Sequence, residues 1–499
     1  MMLTEAWIGV QQMPTFKLDR EPWIPALTTG GVVTPVNLVQ VFNDAAKLSG
    51  LAGSPLEVAA ITRFLLAIVH LVETPTSLDG WRKLWQGRAD LMARCARYVE
   101  ARVDAWDLFH EQHPFGQIPN LDKTLNPAHL LVYEAARKNN AIFANHSAAD
   151  APVPIAAAVL ARGLIVTNAY AGSSGGGYRS GPLAMRTIAM LCGQRFDETL
   201  LLNLLVQTRP PASYDWNRYG SPLDDANAPV DIVQRYLWTA RRVRFLADGN
   251  DTAAATIMLA PGNDMPESER TEDPMIVMRK DSKGTAYVPL RLDTGRALWR
   301  SAHVLLDWHE GVRRLGVVDQ LNRLLHRRFI SEDQPISMRA CGVAGDAQGP
   351  TSELWRDETL PFGFSVVSDE KRYAELVRAV SAAEEAAKFT RKLIYGFAAR
   401  YLQNGAESSP DKDDVGRLSN ELAPDLVDFW AALAPRGERI ACDGFDETAW
   451  ATSIKKASED TIRRAIDRLA PDARRYRAEF VREVGSAANR NKRKKGATV

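Results

Sequence analysis

Along residues 54–73, SPLEVAAITRFLLAIVHLVE, apolar bulk returns every third or fourth position, with Ala59, Ala60, Phe64, Ile68 and Leu71 on one face. That period predicts a helix. Ser54 is placed to cap it, Pro55 suits its first turn, and Glu57 completes a capping box. Further helical patterns follow at 80–109 and 182–207. Between them, residues 139–181 are low in charge and rich in Ala, Gly, Ser and Asn, and 207–231 is a loop marked by Pro210, Pro211, Pro222 and Pro229. Over 240–300 the pattern shortens to strands at 243–246, 256–259, 275–278 and 287–290, with turns at Gly249, Gly262 and Gly284. Residues 297–330 regain a helical period. Residues 338–352 read as a Gly-containing loop and 360–368 as an extended segment.

From about residue 371 the character changes. Leu376, Val380, Ala383, Ala387, Thr390, Ile394, Phe397 and Tyr401 recur at alternating spacings of four and three, the seam of one long helix. Helical patterns at 413–434, 446–470 and 472–487 follow, separated by loops at Pro410, 435–437 and Pro471. Four antiparallel helices with short connections make a four-helix bundle. The fold class is therefore α+β: a large mixed domain with short strands and helices to residue 370, then the bundle over 371–488, then a basic tail over 489–499.

Composition narrows the class. The chain has 499 residues, is 45% hydrophobic and 25% charged, and so has apolar material for a sizeable core. Lys plus Arg total 62 against 61 for Asp plus Glu, a net charge of +1. A protein that coats nucleic acid along its whole length would be far more basic, so any such binding rests on local patches. Cys95, Cys192, Cys341 and Cys442 lie far apart, which argues against a zinc ribbon or disulfide framework and fits a reducing cytoplasm. The opening segment carries Glu5 and no basic stretch, unlike a secretory signal. The longest apolar stretch, around 64–72, is too short to span a bilayer. No membrane association is expected.

Candidate chemistry centres on residues 163–182, GLIVTNAYAGSSGGGYRSGP. Gly172 and Gly177 have P-loop spacing, but Tyr178 and Arg179 stand where Lys and Ser or Thr would be needed, which disfavours a nucleotide-hydrolysing enzyme. Gly175, Gly176 and Gly177 instead allow a backbone to approach a partner closely, such as a groove of DNA, with Tyr178 and Arg179 beside a phosphate. An ordinary surface loop would look the same. His110 and His113 are three apart, but Pro114 follows and HEQH is not a metal-binding HExxH. No GxSxG elbow or Cys–His pair appears; neither catalytic residues nor a metal or cofactor are expected. Arg241, Arg242 and Arg244 suit phosphates or an acidic surface, or the ordinary ion pairs of a surface strand. Arg463 and Arg464, with Arg468, Arg474, Arg475, Arg477 and Arg482, cluster near the end of the bundle. The run RNKRKK at 490–495 reads as a solvated terminus that could attract nucleic acid.

Several stretches together resemble one family. Phe16, Leu18 and Pro22-Trp23-Ile24-Pro25 are similar to the F-x-L-x-x-x-P-W-I-P opening of the CasA family, the large subunits of type I-E CRISPR surveillance complexes (Cascade). His113-Pro114-Phe115 with Gln117 resembles HPF-x-Q, and Phe143 with Asn145 resembles A-F-x-N. The run from Gly175 to Gly181 resembles GGG-aromatic-basic-S-G, and Leu201-Leu202-Asn203-Leu204-Leu205 and Trp238-x-x-Arg241-Arg242 match further elements. The likeness covers nearly the whole chain and leaves residues 1–13 as an N-terminal extension.

The resemblance implies a non-catalytic subunit that binds double-stranded DNA. It would recognise the short motif beside the target, the PAM, while a guide RNA reads the sequence. Gly175, Gly176 and Gly177 would approach the minor groove, whose degenerate code fits tolerance of several motifs. Phe143 and Asn145 would meet the guide RNA and a neighbouring Cascade subunit. A wedge that splits the first base pairs falls nearest Gln348 and Gly349. Arg241, Arg242, Arg463 and Arg464 would hold phosphates, and the system's helicase–nuclease would dock on the assembly. A structural scaffold that joins subunits without reading DNA is the alternative. One departure stands out. The family's motif-contacting lysine is missing from the strands around 245–280, where Asn263 is a candidate substitute.

Overall fold

The computed structural model describes residues 14–133, 152–173, 176–221, 228–247, 252–281, 283–291, 295–309, 313–345, 352–403 and 409–468. The chain divides into two compact units. Residues up to 294 together with 304–359 form the larger, and residues 295–303 together with those from 360 onward form the helical one.

The larger unit is built around the helix Pro55–Val72. Its cap is the one expected: Ser54 Oγ accepts from Glu57 N and Glu57 Oε2 accepts from Ser54 N. The helix runs 18 residues at a mean hydropathy of 1.8, longer than the expected apolar stretch, and 78% of it is buried within the unit. It is a core helix, packed against the helices Arg88–Glu100, Ala157–Tyr170 and Ile232–Tyr236. Phe64 on this helix anchors an aromatic cluster with Trp23, Phe115, Trp216 and Tyr219. Short antiparallel strands surround the core. Ile24–Thr28 lies between Val33–Val36 and Leu48–Leu51, and Thr256–Pro261 lies between Leu125–Pro127 and Arg241–Leu246.

Several expectations are corrected. The 80–109 pattern is two helices, Leu78–Gln86 and Arg88–Glu100, parted at Gly87. Within 182–207 only Phe196–Leu202 is helical; Thr187–Cys192 is a strand, buried at all but its last position. A strand covered on both faces has no alternation and cannot be told from a buried helix by period. Its partner is Ser337–Gly345, in the segment read as a loop. Gly342 belongs in that strand because a Cβ there would lie 2.5 Å from Arg186 O. The return strand is Ser352–Pro361, and Phe364–Val367 is a 3₁₀ turn where extended chain was expected. In place of a strand at 275–278, Met278–Lys280 pairs with Tyr287–Pro289. Over 297–330 the helical content is short pieces, chiefly Leu298–Ser301 and Gly316–His326.

In the helical unit, Glu370–Gln403 forms the long helix, and Leu376, Val380, Ala383, Ala387, Thr390, Ile394 and Phe397 are buried along it, while Tyr401, the last member of the expected seam, is half-buried. The expected 413–434 helix is two, Lys412–Leu422 and Val427–Gly437, broken after Pro424 where Asp425 and Leu426 take positive φ. Glu447–Asp467 completes the packing against Glu370–Gln403 and Val427–Gly437. Trp299 from the 295–303 segment stands edge-on to Trp430 and Trp450, and Arg300 lies 3.5 Å from the Trp430 ring centroid. The expected helix at 472–487, the tail at 489–499 and the extension at 1–13 lie outside the described residues.

Candidate nucleic-acid interface

The buried helix Ala157–Tyr170 delivers the chain into the glycine segment. Gly176 and Gly177 have φ of +71° and +82°, a region that side-chain-bearing residues rarely enter. Among the described residues, a Cβ on Gly176 would touch only the Tyr178 ring, at 3.9 Å, and one on Gly177 only Pro261, at 3.7 Å. Both residues are exposed. The glycines are therefore required by backbone conformation, and the space outside them is open. A backbone presented in this way can come within hydrogen-bonding distance of a narrow surface.

The loop is held from beneath. The Arg241 guanidinium donates to Gly172 O at 2.5 Å and Arg179 O at 2.6 Å, closing the two ends of the loop on one cation. The Arg241 backbone N–H donates to Asn168 Oδ1 at 2.9 Å, which ties the strand Arg241–Leu246 to the helix Ala157–Tyr170. Tyr178 Oη donates to Leu259 O at 3.0 Å. Arg270 donates to Ser180 O at 3.0 Å, and Arg179, exposed, pairs with Asp264 at 3.4 Å. Burial, with Arg186 nearby, holds Arg270 below the ordinary guanidinium value despite Glu267 and Asp264. At the far end, a Cβ on Gly181 would lie 2.5 Å from Ala169 O, so this glycine is required by close packing.

The expected site residues separate into groups. Gly176, Gly177, Tyr178 and Arg179 come together on this loop. Arg241, expected as a phosphate contact, is buried and holds loop carbonyls, so the structure places it as a clamp beneath the loop. Its N–H groups donate to the carbonyls of Arg179, Ala240 and Gly172. Arg242 is half-buried, with Nε donating to Pro261 O at 2.6 Å. Arg463 and Arg464 are exposed in the helical unit. They pair with Asp460 at 3.4 Å and Asp428 at 2.9 Å. Gly175, Phe143, Asn145, Gln348 and Gly349 lie outside the described residues.

Asn263, weighed as a stand-in for the missing lysine, donates its side-chain amide to Thr239 Oγ1 at 2.9 Å. It stabilises the turn after Thr256–Pro261, where a Cβ on Gly262 would lie 2.4 Å from Thr239 O.

Other motif residues turn out to be scaffold. Gln117 is buried, donating to Leu108 O at 2.7 Å and accepting from Phe245 N at 2.8 Å, so HPF-x-Q fastens the edge of the Arg241–Leu246 strand. Asn203 exchanges hydrogen bonds with Leu191 N and O. His110 Nδ1 accepts from the Gln112 and His113 backbone N–H groups, and the two imidazoles stack in the open. Among the described residues no three His, Cys, Asp or Glu side chains are grouped to hold a metal ion. Asn168, Asp264 and Arg270 support the loop and were not singled out from the sequence. Their signal is spatial, since each is remote in the chain from what it holds.

A sequence model of the family described as CRISPR-associated protein Cse1 matches residues 18–481. The CRISPR-associated protein CasA/Cse1 of Thermus thermophilus is 28% identical over 494 residues, covering 93% of this chain and 93% of that one. The fold is similar to the crystal structure of CasA from Thermus thermophilus, with a TM-score of 0.77 at 24% identity over 94% of this chain and 98% of the other. It is also similar to a chain of a CRISPR RNA-guided surveillance complex, with a TM-score of 0.66 at 17% identity over 91% and 99%.

Proposed function

The chain belongs to the family of CRISPR-associated protein Cse1, or CasA, and from that membership we propose that it is the large, non-catalytic subunit of an RNA-guided surveillance complex acting in the cytoplasm in antiviral defence. In this reading the guide RNA, carried with the other Cascade subunits, reads the target by base pairing, and this chain reads the flanking PAM in double-stranded DNA. The observation that carries it is the glycine loop. Gly176 and Gly177 present bare, positive-φ backbone outward, while Arg241 and Tyr178 fix the loop from behind. Bare backbone fits the minor groove, which is about 6 Å wide and offers a degenerate pattern of acceptors. Gln348 and Gly349 would wedge the first base pairs apart, and Phe143 and Asn145 would engage the guide RNA. Arg463 and Arg464 would steady the displaced strand before the helicase–nuclease docks.

The test is an electrophoretic mobility shift with the reconstituted complex, with and without this chain, on target duplexes whose flank is varied. The reading expects motif-dependent binding that needs this chain and is lost in Gly176→Asp. Gly31→Asp is the control, because Gly31 has φ +79° and open space around it and so carries similar strain away from the loop. Binding that needs the chain but ignores the flank would make it a scaffold subunit and remove the site assignment.

A further inference from the structure

In the sheet that contains Arg241–Leu246, Met258 on the central strand pairs in register with Leu125 on one side and Arg244 on the other. Directly paired residues project to the same face. Leu125, Met258 and Arg244 therefore form one row across it. The opposite face carries Val243, Phe245 and Ile257, all buried. On the outer row Leu125 is 52% exposed, and Met258 and Arg244 are half-buried. Arg242, two residues from Arg244 on the same face, is satisfied by Pro261 O. Arg244 has no such acceptor and no ion pair among the described residues. Burial alone holds its guanidinium below the ordinary arginine value.

A half-buried cation without a counter-charge burdens the isolated chain, and an exposed leucine beside it adds uncovered apolar surface. We propose that this face docks a neighbouring protein subunit of the surveillance complex, one that brings a carboxylate to Arg244 and an apolar side chain over Met258 and Leu125. The inference rests on the reading of the chain as a complex subunit. Charge complementarity selects an anion. The company of Arg244 selects protein over nucleic acid, because arginine and methionine beside an apolar residue is the composition of a protein interface core. A surface that tracks phosphates needs several free cations, and among the described residues this row offers Arg244 by itself.

The experiment measures association of the full-length chain with the guide-loaded complex assembled without it. Arg244→Glu is expected to weaken association at least tenfold, Arg244→Lys less, and Leu125→Asp comparably. The melting temperature of the free chain should not fall in Arg244→Glu, because the Arg244 side chain has no hydrogen-bond or ion-pair partner among the described residues. A photo-crosslinking phenylalanine analogue at position 125 should label a protein subunit. Wild-type affinity in Arg244→Glu overturns the inference, and so does crosslinking to RNA alone or a defect that appears only when target DNA is added. If the wild-type chain itself fails to join the complex, the subunit reading falls first.

Discussion

The Arg241 guanidinium lies 5.0 Å from the centroid of the Tyr178 ring while donating to the carbonyls of Gly172 and Arg179. One buried cation thus meets an aromatic face and closes the glycine loop, so the loop's shape depends on a residue outside it. Arg241→Gln removes that closure and hands the carbonyls of Gly172 and Arg179, both exposed residues, to water, at about 0.5–1.5 kcal/mol for each hydrogen bond lost. The expected outcome is faster amide hydrogen exchange around 176–181 and weaker discrimination between correct and altered flanks, with complex assembly unchanged. Arg241→Lys should recover only part, because an ammonium cannot span both carbonyls in the plane of a guanidinium. Unchanged exchange in Arg241→Gln would mean the loop is fixed by Tyr178 and Arg270 without it.

Arg63 and Asp273 form a buried bidentate pair, 2.9 and 2.6 Å, that joins the core helix Pro55–Val72 to the segment following the Thr256–Pro261 strand. Asp273 also accepts from Met275 N at 3.0 Å, and Arg63 lies 4.3 Å from the Tyr236 ring centroid. Removing one partner strands a buried charge, which typically costs about 3–5 kcal/mol. Asp273→Asn should therefore lower the urea midpoint sharply. The double variant Arg63→Met with Asp273→Asn should be less damaged than the sum of the single changes, because no lone charge remains.

Two buried groups act in separate pH windows. Burial pushes His70 down to about 3. Thr74 Oγ1 donates to His70 O and so accepts from Nδ1–H, while His70 Nε2 is buried with no partner among the described residues. The folded state therefore takes up a proton later than the unfolded chain, whose imidazole titrates near 6.5. The stability from neutral His70 is present above 6.5 and is lost as pH falls, by about 2 kcal/mol between pH 6.5 and 4.5. Asp273 lies below its ordinary value of 3.8, since Arg63 outweighs the effect of burial, which alone would raise it. Its contribution persists above 3.8 and fades only as pH drops further. Thermal melts from pH 7 to 4.5 should show a shallower decline in His70→Gln than in wild type. Parallel declines would place the acid sensitivity elsewhere.

What the sequence made legible follows from where each residue's partners lie. The Ser54 and Glu57 cap and the seam of Glu370–Gln403 are local, and both stand as expected. The strand Thr187–Cys192 was hidden because burial on both faces erases alternation, and its partner strand lies about 150 residues further along the chain. The break after Pro424 lay within what read as one continuous period. The loop glycines were visible as a motif, yet the role of Arg241 was not. A charge reads as solvent-facing until the fold shows that Gly172 O and Arg179 O surround it.

The arginines of the Glu447–Asp467 helix differ in how free they are. Arg463 has a side chain 71% exposed and, among the described residues, only a 3.4 Å contact to Asp460, one turn earlier in the same helix. Exposed pairs of this kind contribute little and exchange readily for a phosphate. Arg464 and Arg468 share Asp428, at 2.9 and 3.2 Å, and Arg468 also donates to Leu422 O. Asp428 therefore competes with any phosphate for two cations. Each phosphate contact contributes roughly one unit to the slope of log affinity against log salt. Arg463→Gln should reduce that slope by about one for the assembled complex on target DNA, whatever the flank. Asp428→Asn should tighten binding at low salt and steepen the slope, by freeing Arg464 and Arg468. A slope that stays constant in both variants would show that this end of the helical unit does not touch the displaced strand.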